Sequence, residues 1–158
     1  MLSADQKKKD DAFGTRKPRI VADDAETARM IELVDEELTG RVIGGFYTVY
    51  NAFGFGFSET VYANALSLEL RRRALRVERE VPKEVFYLGQ PVARYRIDML
   101  VERRVVIEVK ASKLLSEVDH QQLLNYLKAT DLELGLLLHF GPKPAFHRKI
   151  CTKKPFRG

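Results

Sequence analysis

Three charged side chains in one short stretch could do chemistry together: Asp98, Glu108 and Lys110, within Tyr95–Ala111, YRIDMLVERRVVIEVKA. Two carboxylates facing each other suit a hard divalent cation. An ammonium beside them can orient a water or offset negative charge that develops in a reaction. Tyr95–Val101 and Val105–Val109 are apolar-rich runs flanking Glu102-Arg103-Arg104, the polar cluster able to turn the chain, so the stretch reads as a hairpin. In an antiparallel pair turning about Arg103, Asp98 and Glu108 fall nearly opposite each other, with Cβ atoms roughly 4.5–5.5 Å apart. Lys110 follows Glu108 by two and shares its face.

The second strand, VVIEVK, is apolar at both parities from Val105 to Ile107, as expected of a strand covered on both sides. A carboxylate buried there needs a partner, because an unpaired buried charge is heavily penalised. The competing reading is a surface hairpin whose Asp98, Glu108 and Lys110 face water, and these residues alone leave both open.

The elements that must position this stretch follow from periodicity. Met30, Ile31, Leu33, Val34 and Leu38, then Val42, Ile43, Phe46, Val49 and Tyr50, recur at three and four, predicting two helices or one broken near Thr39-Gly40 and ending at Phe53-Gly54. Ser58 can cap a helix running to about Ala74, with Glu59, Tyr62, Ala63, Leu66 and Leu70 along one stripe. Glu59 opens the inward face, although an acid in the first turn also complements the helix dipole. Strands are expected at Val77–Val85 and Phe86–Leu88, then a Gly89-Gln90-Pro91 turn and the central hairpin. Leu114–Thr130 reads as a helix with Leu115, Val118, Gln122, Leu123, Tyr126 and Leu127 inward. A buried strand over Leu132–Phe140 and a short edge strand over Phe146–Thr152 complete an α/β sheet covered by helices.

The chain of 158 residues has room for one domain with a real core, taken as 25–158, preceded by a polar arm over 1–24. There is no apolar run of membrane length, and Met1–Arg19 is polar, so the expectation is a cytoplasmic protein without membrane contact. A single cysteine, Cys151, excludes an internal disulfide and a thiolate zinc cluster, and the three histidines are scattered in sequence. The net charge of +5 favours a polyanionic partner. Six Lys or Arg and no acid lie between Gly141 and Gly158, and Arg71-Arg72-Arg73 and Arg103-Arg104 add basic clusters, making nucleic acid the expected counterpart. For any one of these residues, an ordinary solubilising role competes.

The order of the charged residues is more telling than any one of them. An acid on a helix, an Asp in mid-sheet, Glu-x-Lys on the adjoining strand and then a Gln-bearing helix resembles the layout of the PD-(D/E)XK nuclease superfamily. More narrowly, Gly56-Phe57-Ser58-Glu59-Thr60-Val61-Tyr62 spells GxxExxY, and with ANALSLEL, YRIDMLVE, VVIEVKA and QLLNYLKAT it is similar to the GxxExxY proteins. The likeness runs from about Leu38 to Ile150, roughly seventy per cent of the chain.

The resemblance implies a restriction-endonuclease-like core, a central mixed sheet flanked by helices. It also implies a nuclease using Mg²⁺, for which Mn²⁺ can substitute, on DNA ahead of RNA. Asp98 and Glu108 would hold the ion, with the Val109 carbonyl a third ligand and Glu59 completing the cluster directly or through water. Lys110 would orient or help deprotonate the attacking water. Gln122 and Tyr126 match a QxxxY element that braces the site or approaches a phosphate, and Tyr62 belongs to the supporting group. The likeness departs at Tyr50 and at Asp119, positions where histidine is expected. The alternative from another class is a non-catalytic nucleic-acid-binding or oligomerising module on the same fold, alone or within a larger complex. Small nucleases often pair to cut two strands, and Phe53, Phe55 and Phe57 are candidates for a homodimer interface, against the competing reading that they pack beneath the following helix.

Overall fold

A computed structural model describes residues 25–152, excepting the side chains of residues 25–28, 30, 31 and 34. The expected amino-terminal arm and the basic residues Lys153, Lys154 and Arg157 lie outside the described residues. The chain divides into two compact units, Met1–Asp35 and Glu36–Gly158. In the first, the described residues are helical. The second carries the sheet and the site.

The elements are α1 (Ala25–Phe53), α2 (Glu59–Arg72), β1 (Val77–Tyr87), β2 (Gln90–Val101), β3 (Val105–Lys110), α3 (Glu117–Ala129), β4 (Leu134–Phe140) and β5 (Pro144–Ile150). The five strands form one mixed sheet in sequence order. All neighbours are antiparallel except β3 and β4, which are parallel and joined through α3. A parallel pair needs such a crossover, so α3 must lie on one face of the sheet.

Strand alternation sorts the two cores. Val105, Ile107 and Val109 pack with Val42, Phe46, Tyr62 and Leu66 of α1 and α2. Val106 packs with Leu123, Tyr126 and Leu127 of α3. By the same period of two, Glu108 and Lys110 belong to the α3 side. Every residue of β4 is buried, as its apolar run requires of a strand covered on both faces.

Several expectations need correction. No break occurs near Thr39-Gly40: α1 is continuous to Phe53, where Gly54 N donates to Tyr50 O at 2.7 Å. Glycine costs about 1 kcal/mol inside a helix, and packing outweighs it here. A Cβ on Gly45 would come within 2.8 Å of Leu70 Cδ2, so a bare backbone lets α2 lie against α1. Ser58 holds the N-cap position without a side-chain capping bond, and α2 ends at Arg72.

The β1–β2 turn is Leu88-Gly89, both with positive φ (50° and 74°), and Gln90 and Pro91 are already strand. Two left-handed residues give the turn that matches strand twist. In α3, which begins at Glu117, Val118 is exposed. It lies nine positions before buried Leu127, about two and a half turns, and so on the opposite side of the helix. Phe53, Phe55 and Phe57 remain substantially exposed, although the Phe57 ring meets Tyr62 of α2 edge-on and Phe53 packs on Phe57. The histidines are gathered by the fold: His120 and His147 meet with ring centroids 4.9 Å apart, and the charges of His120 and His139 both act on His147.

Candidate active site

The site lies where β2 and β3 part. Their ladder runs through Val101↔Val105, Leu100↔Val106 and Met99↔Ile107. Beyond it, the Val109 amide donates to the Asp98 carboxylate (Oδ2, 2.9 Å) instead of to main chain. A strand residue's N–H and C=O point toward the same neighbour, so the Val109 carbonyl opens toward the same fork.

Asp98 and Glu108 converge there, close enough for each carboxyl to shift the other. Glu108 is 1% exposed, and its Oε2 is buried with no hydrogen-bond partner in the protein. Burial, and then the neighbouring Asp98 charge, push the Glu108 carboxyl up to about 8 despite the opposing pull of Lys110. Burial also raises Asp98, against the Val109 hydrogen bond and the charges of Lys110 and Arg79. An orphaned hard oxygen and a second carboxylate beside it fit a small divalent cation, which keeps several waters and needs one or two carboxylates.

Lys110 Nζ stands 3.1 Å from Glu108 Oε1 and donates to Gln122 Oε1 at 2.9 Å. Gln122 Nε2 in turn donates to the Tyr126 hydroxyl at 2.6 Å. Burial alone would lower the Lys110 ammonium, but Glu108, Glu59 and Asp119 outweigh it and hold it above its usual range. It is therefore a fixed cation.

Glu59 is exposed at the start of α2, and its charge acts on both Glu108 and Lys110. Among the described residues no three His, Cys, Asp or Glu side chains come together closely enough to hold an ion. Tyr62 is fully buried, stacked on Phe140, and its hydroxyl donates to Gly54 O while accepting from Phe57 N. It braces the loop that delivers Glu59.

Two further residues, Asp119 and Arg79, touch the site. Asp119 stands 3.7 Å from Lys110 Nζ and also accepts from Ser116 N and Oγ, a helix-start pattern three residues apart that was legible but not used. Arg79 Nε donates to the Asp98 main-chain carbonyl at 3.2 Å, and its Nη1 donates to Asn64 Oδ1 at 2.7 Å. No sequence pattern signals that link. Away from the site, the Tyr50 hydroxyl, where a histidine is expected, lies within hydrogen-bond distance of the Gly141 and Pro142 carbonyls and can donate to either.

A model of the PD-(D/E)XK nuclease superfamily matches residues 36–150. The chain belongs to that superfamily. Its mixed five-stranded sheet flanked by three helices is the restriction-endonuclease-like fold. Among curated proteins, none matches. Among solved structures, the chain is similar to one described as the crystal structure of SSO0001, with 24% identity and a TM-score of 0.49. That match covers 58% of this chain and 48% of the other, so it spans about half of that structure's length. Among the described residues, no helix is long and apolar enough to cross a membrane.

Proposed function

We propose that this superfamily member is an active, divalent-metal-dependent nuclease of the GxxExxY kind, with DNA its first substrate. The observation that carries the reading is the buried, partnerless Glu108 oxygen set against Asp98 and within reach of a charged lysine. A merely phosphate-binding surface gains nothing from acids at its centre.

In this reading Asp98, Glu108 and the Val109 carbonyl would hold Mg²⁺ or Mn²⁺, and Glu59 would reach it through water. Such an ion, when bound, acidifies water and neutralises charge on the phosphoryl oxygens. The chain's own groups do the rest. Lys110, held charged by Glu108, orients the attacking water and offsets negative charge as it develops. Its deprotonated form is too scarce for it to serve as a free base. Gln122 fixes the ammonium and Tyr126 fixes Gln122.

The test is cleavage of plasmid, single-stranded DNA and RNA with Mg²⁺ or Mn²⁺, beside Asp98→Ala and Lys110→Ala. Cutting by the wild type and its loss in both variants is expected. Equal cutting by all three would identify a contaminant. Calorimetry with Mn²⁺ adds a check independent of turnover, because binding that is unchanged in the Asp98→Ala, Glu108→Ala double variant removes the metal assignment.

A further inference from the structure

We propose that a cavity between α2 and β1 binds one nucleotide of the substrate strand next to the bond being cut, its phosphate held by Arg71 and Arg79. The proposal rests on the nuclease reading above and names a second contact for the same strand.

The cavity, of about 470 Å³, is lined by Thr60, Asn64, Ser67 and Arg71 from α2 and by Arg79 and Glu80 from β1. That volume is within the range of small-ligand sites. The α2 residues recur at helical spacing beside the buried stripe of Tyr62, Ala63, Leu66 and Leu70, so the helix turns a polar face toward the strand. Two guanidinium groups and one carboxylate leave the lining positive. Arg71 gives a hydrogen bond to Val77 O and Arg79 gives two, to Asp98 O and Asn64 Oδ1, from the five N–H donors each carries. Both are fixed in place with donors to spare, which suits phosphate oxygens. Ser67 is 2% exposed and its hydroxyl has no partner in the protein. Leu68, exposed at the rim, offers an apolar surface for a sugar or base.

The neighbouring basic residues Arg72, Arg73 and Arg103 are more self-contained. Arg72 and Arg73 both pair with Glu69, and Arg103 pairs with Glu78. Arg71 and Arg79 instead line a cavity whose walls lead toward the fork through β2 and the start of α2. Arg79 bonds the Asp98 main chain, and Thr60 follows Glu59. Glu80, at φ 51°, holds a left-handed backbone between Arg79↔Met99 and Val81↔Ile97, where β1 runs alongside Asp98. Side-chain-bearing residues adopt that conformation at a cost, and such strain clusters at functional sites.

Binding of a fluorescein-labelled DNA oligonucleotide in EDTA, followed by anisotropy across a salt series, tests the proposal. Arg71→Glu should weaken binding by roughly tenfold to a hundredfold and flatten the salt dependence by about one ion. Arg71→Lys should keep most of the slope. Because Arg71 also bonds the main chain, Thr60→Asp is the second probe: it places an acid at the cavity wall on an exposed first-turn position where the helix tolerates one. It should raise KM more than it lowers kcat. If the wild type neither binds nor cleaves any nucleic acid, the nuclease reading fails and this proposal with it. If the wild type cleaves and both Arg71→Glu and Thr60→Asp keep wild-type affinity and salt slope, the nucleotide site alone is overturned.

Discussion

The α1–α2 side of β3 and its α3 side are built from alternate residues of one short strand and are held by opposite means. Val105, Ile107 and Val109 are completely buried among apolar side chains. Their contribution comes from area removed from water, roughly 25 cal/mol per Å². On the other side Val106 gives way to Glu108 and Lys110, where burial works against folding. The protein keeps a carboxyl there with an oxygen that no protein group satisfies. One parity of the strand sets stability, while the other gives some of it up to hold a buried carboxyl beside an ammonium.

That contrast can be broken most directly by exchanging the two roles. Lys110→Ala and Asp98→Ala should each lower turnover by about 10²–10³-fold, the usual cost of removing a preorganised electrostatic group. Neither should unfold the protein. Ile107→Ala, one residue from Glu108, should instead lower stability by about 2–5 kcal/mol in a urea titration. It should still respond to Mn²⁺ with a higher melting temperature. Retained turnover in the lysine variant, or a metal response lost in the isoleucine variant, would show that the two parities are not separable.

A pH series sharpens the same comparison. Glu108 titrates near 8 in the folded chain against 4.5 without its surroundings. The native state therefore holds the extra proton, and metal-free stability should fall as pH rises from about 4.5 to 8, then level off. Saturating Mg²⁺ or Mn²⁺ should offset the fall, because the ion replaces the proton and binds more tightly as pH rises through that window. Glu108→Gln should flatten the metal-free profile and remove the metal effect. A thermal melt at several pH values, with and without the ion, reads all of this. A Glu108→Gln profile as steep as that of the wild type would assign the titration to another group.

The sequence made β3 and its partner legible because the signals were local. The apolar run over both parities and the Glu-x-Lys spacing needed only a strand period, and the polar triplet at Glu102 needed only a turn. What it could not show depends on where one element lies against another. The continuity of α1 through its glycines is decided by the seat of Leu70 against Gly45, since propensity alone argues for a break. The Asp98 bond to the Val109 amide requires β2 and β3 to part after three pairs. Arg79 in VEREV reads as an ordinary outward charge, yet the left-handed backbone at Glu80 beside it accompanies a guanidinium turned onto Asp98 O. Asp119 was read as the loss of a histidine, although it supplies an acid to Lys110.

The smallest expected effect tests how far the charged parity is supported from α3. Gln122 accepts from Lys110 Nζ and donates to Tyr126, so it joins a catalytic candidate to a buried hydroxyl. Gln122→Ala leaves Glu108 at 3.1 Å and Asp119 at 3.7 Å to hold the ammonium. Its charge survives while its direction loosens, and supporting groups of this kind are worth about ten- to a hundredfold. Turnover should drop nearer tenfold, with KM and Mn²⁺ affinity close to wild type, because the metal carboxylates are untouched. Tyr126→Phe removes a link one step further out and should cost less. If Tyr126→Phe proved the more damaging of the two, the hydroxyl would be meeting the substrate itself, and the chain from Tyr126 through Gln122 to Lys110 would be a second phosphate contact, not a brace.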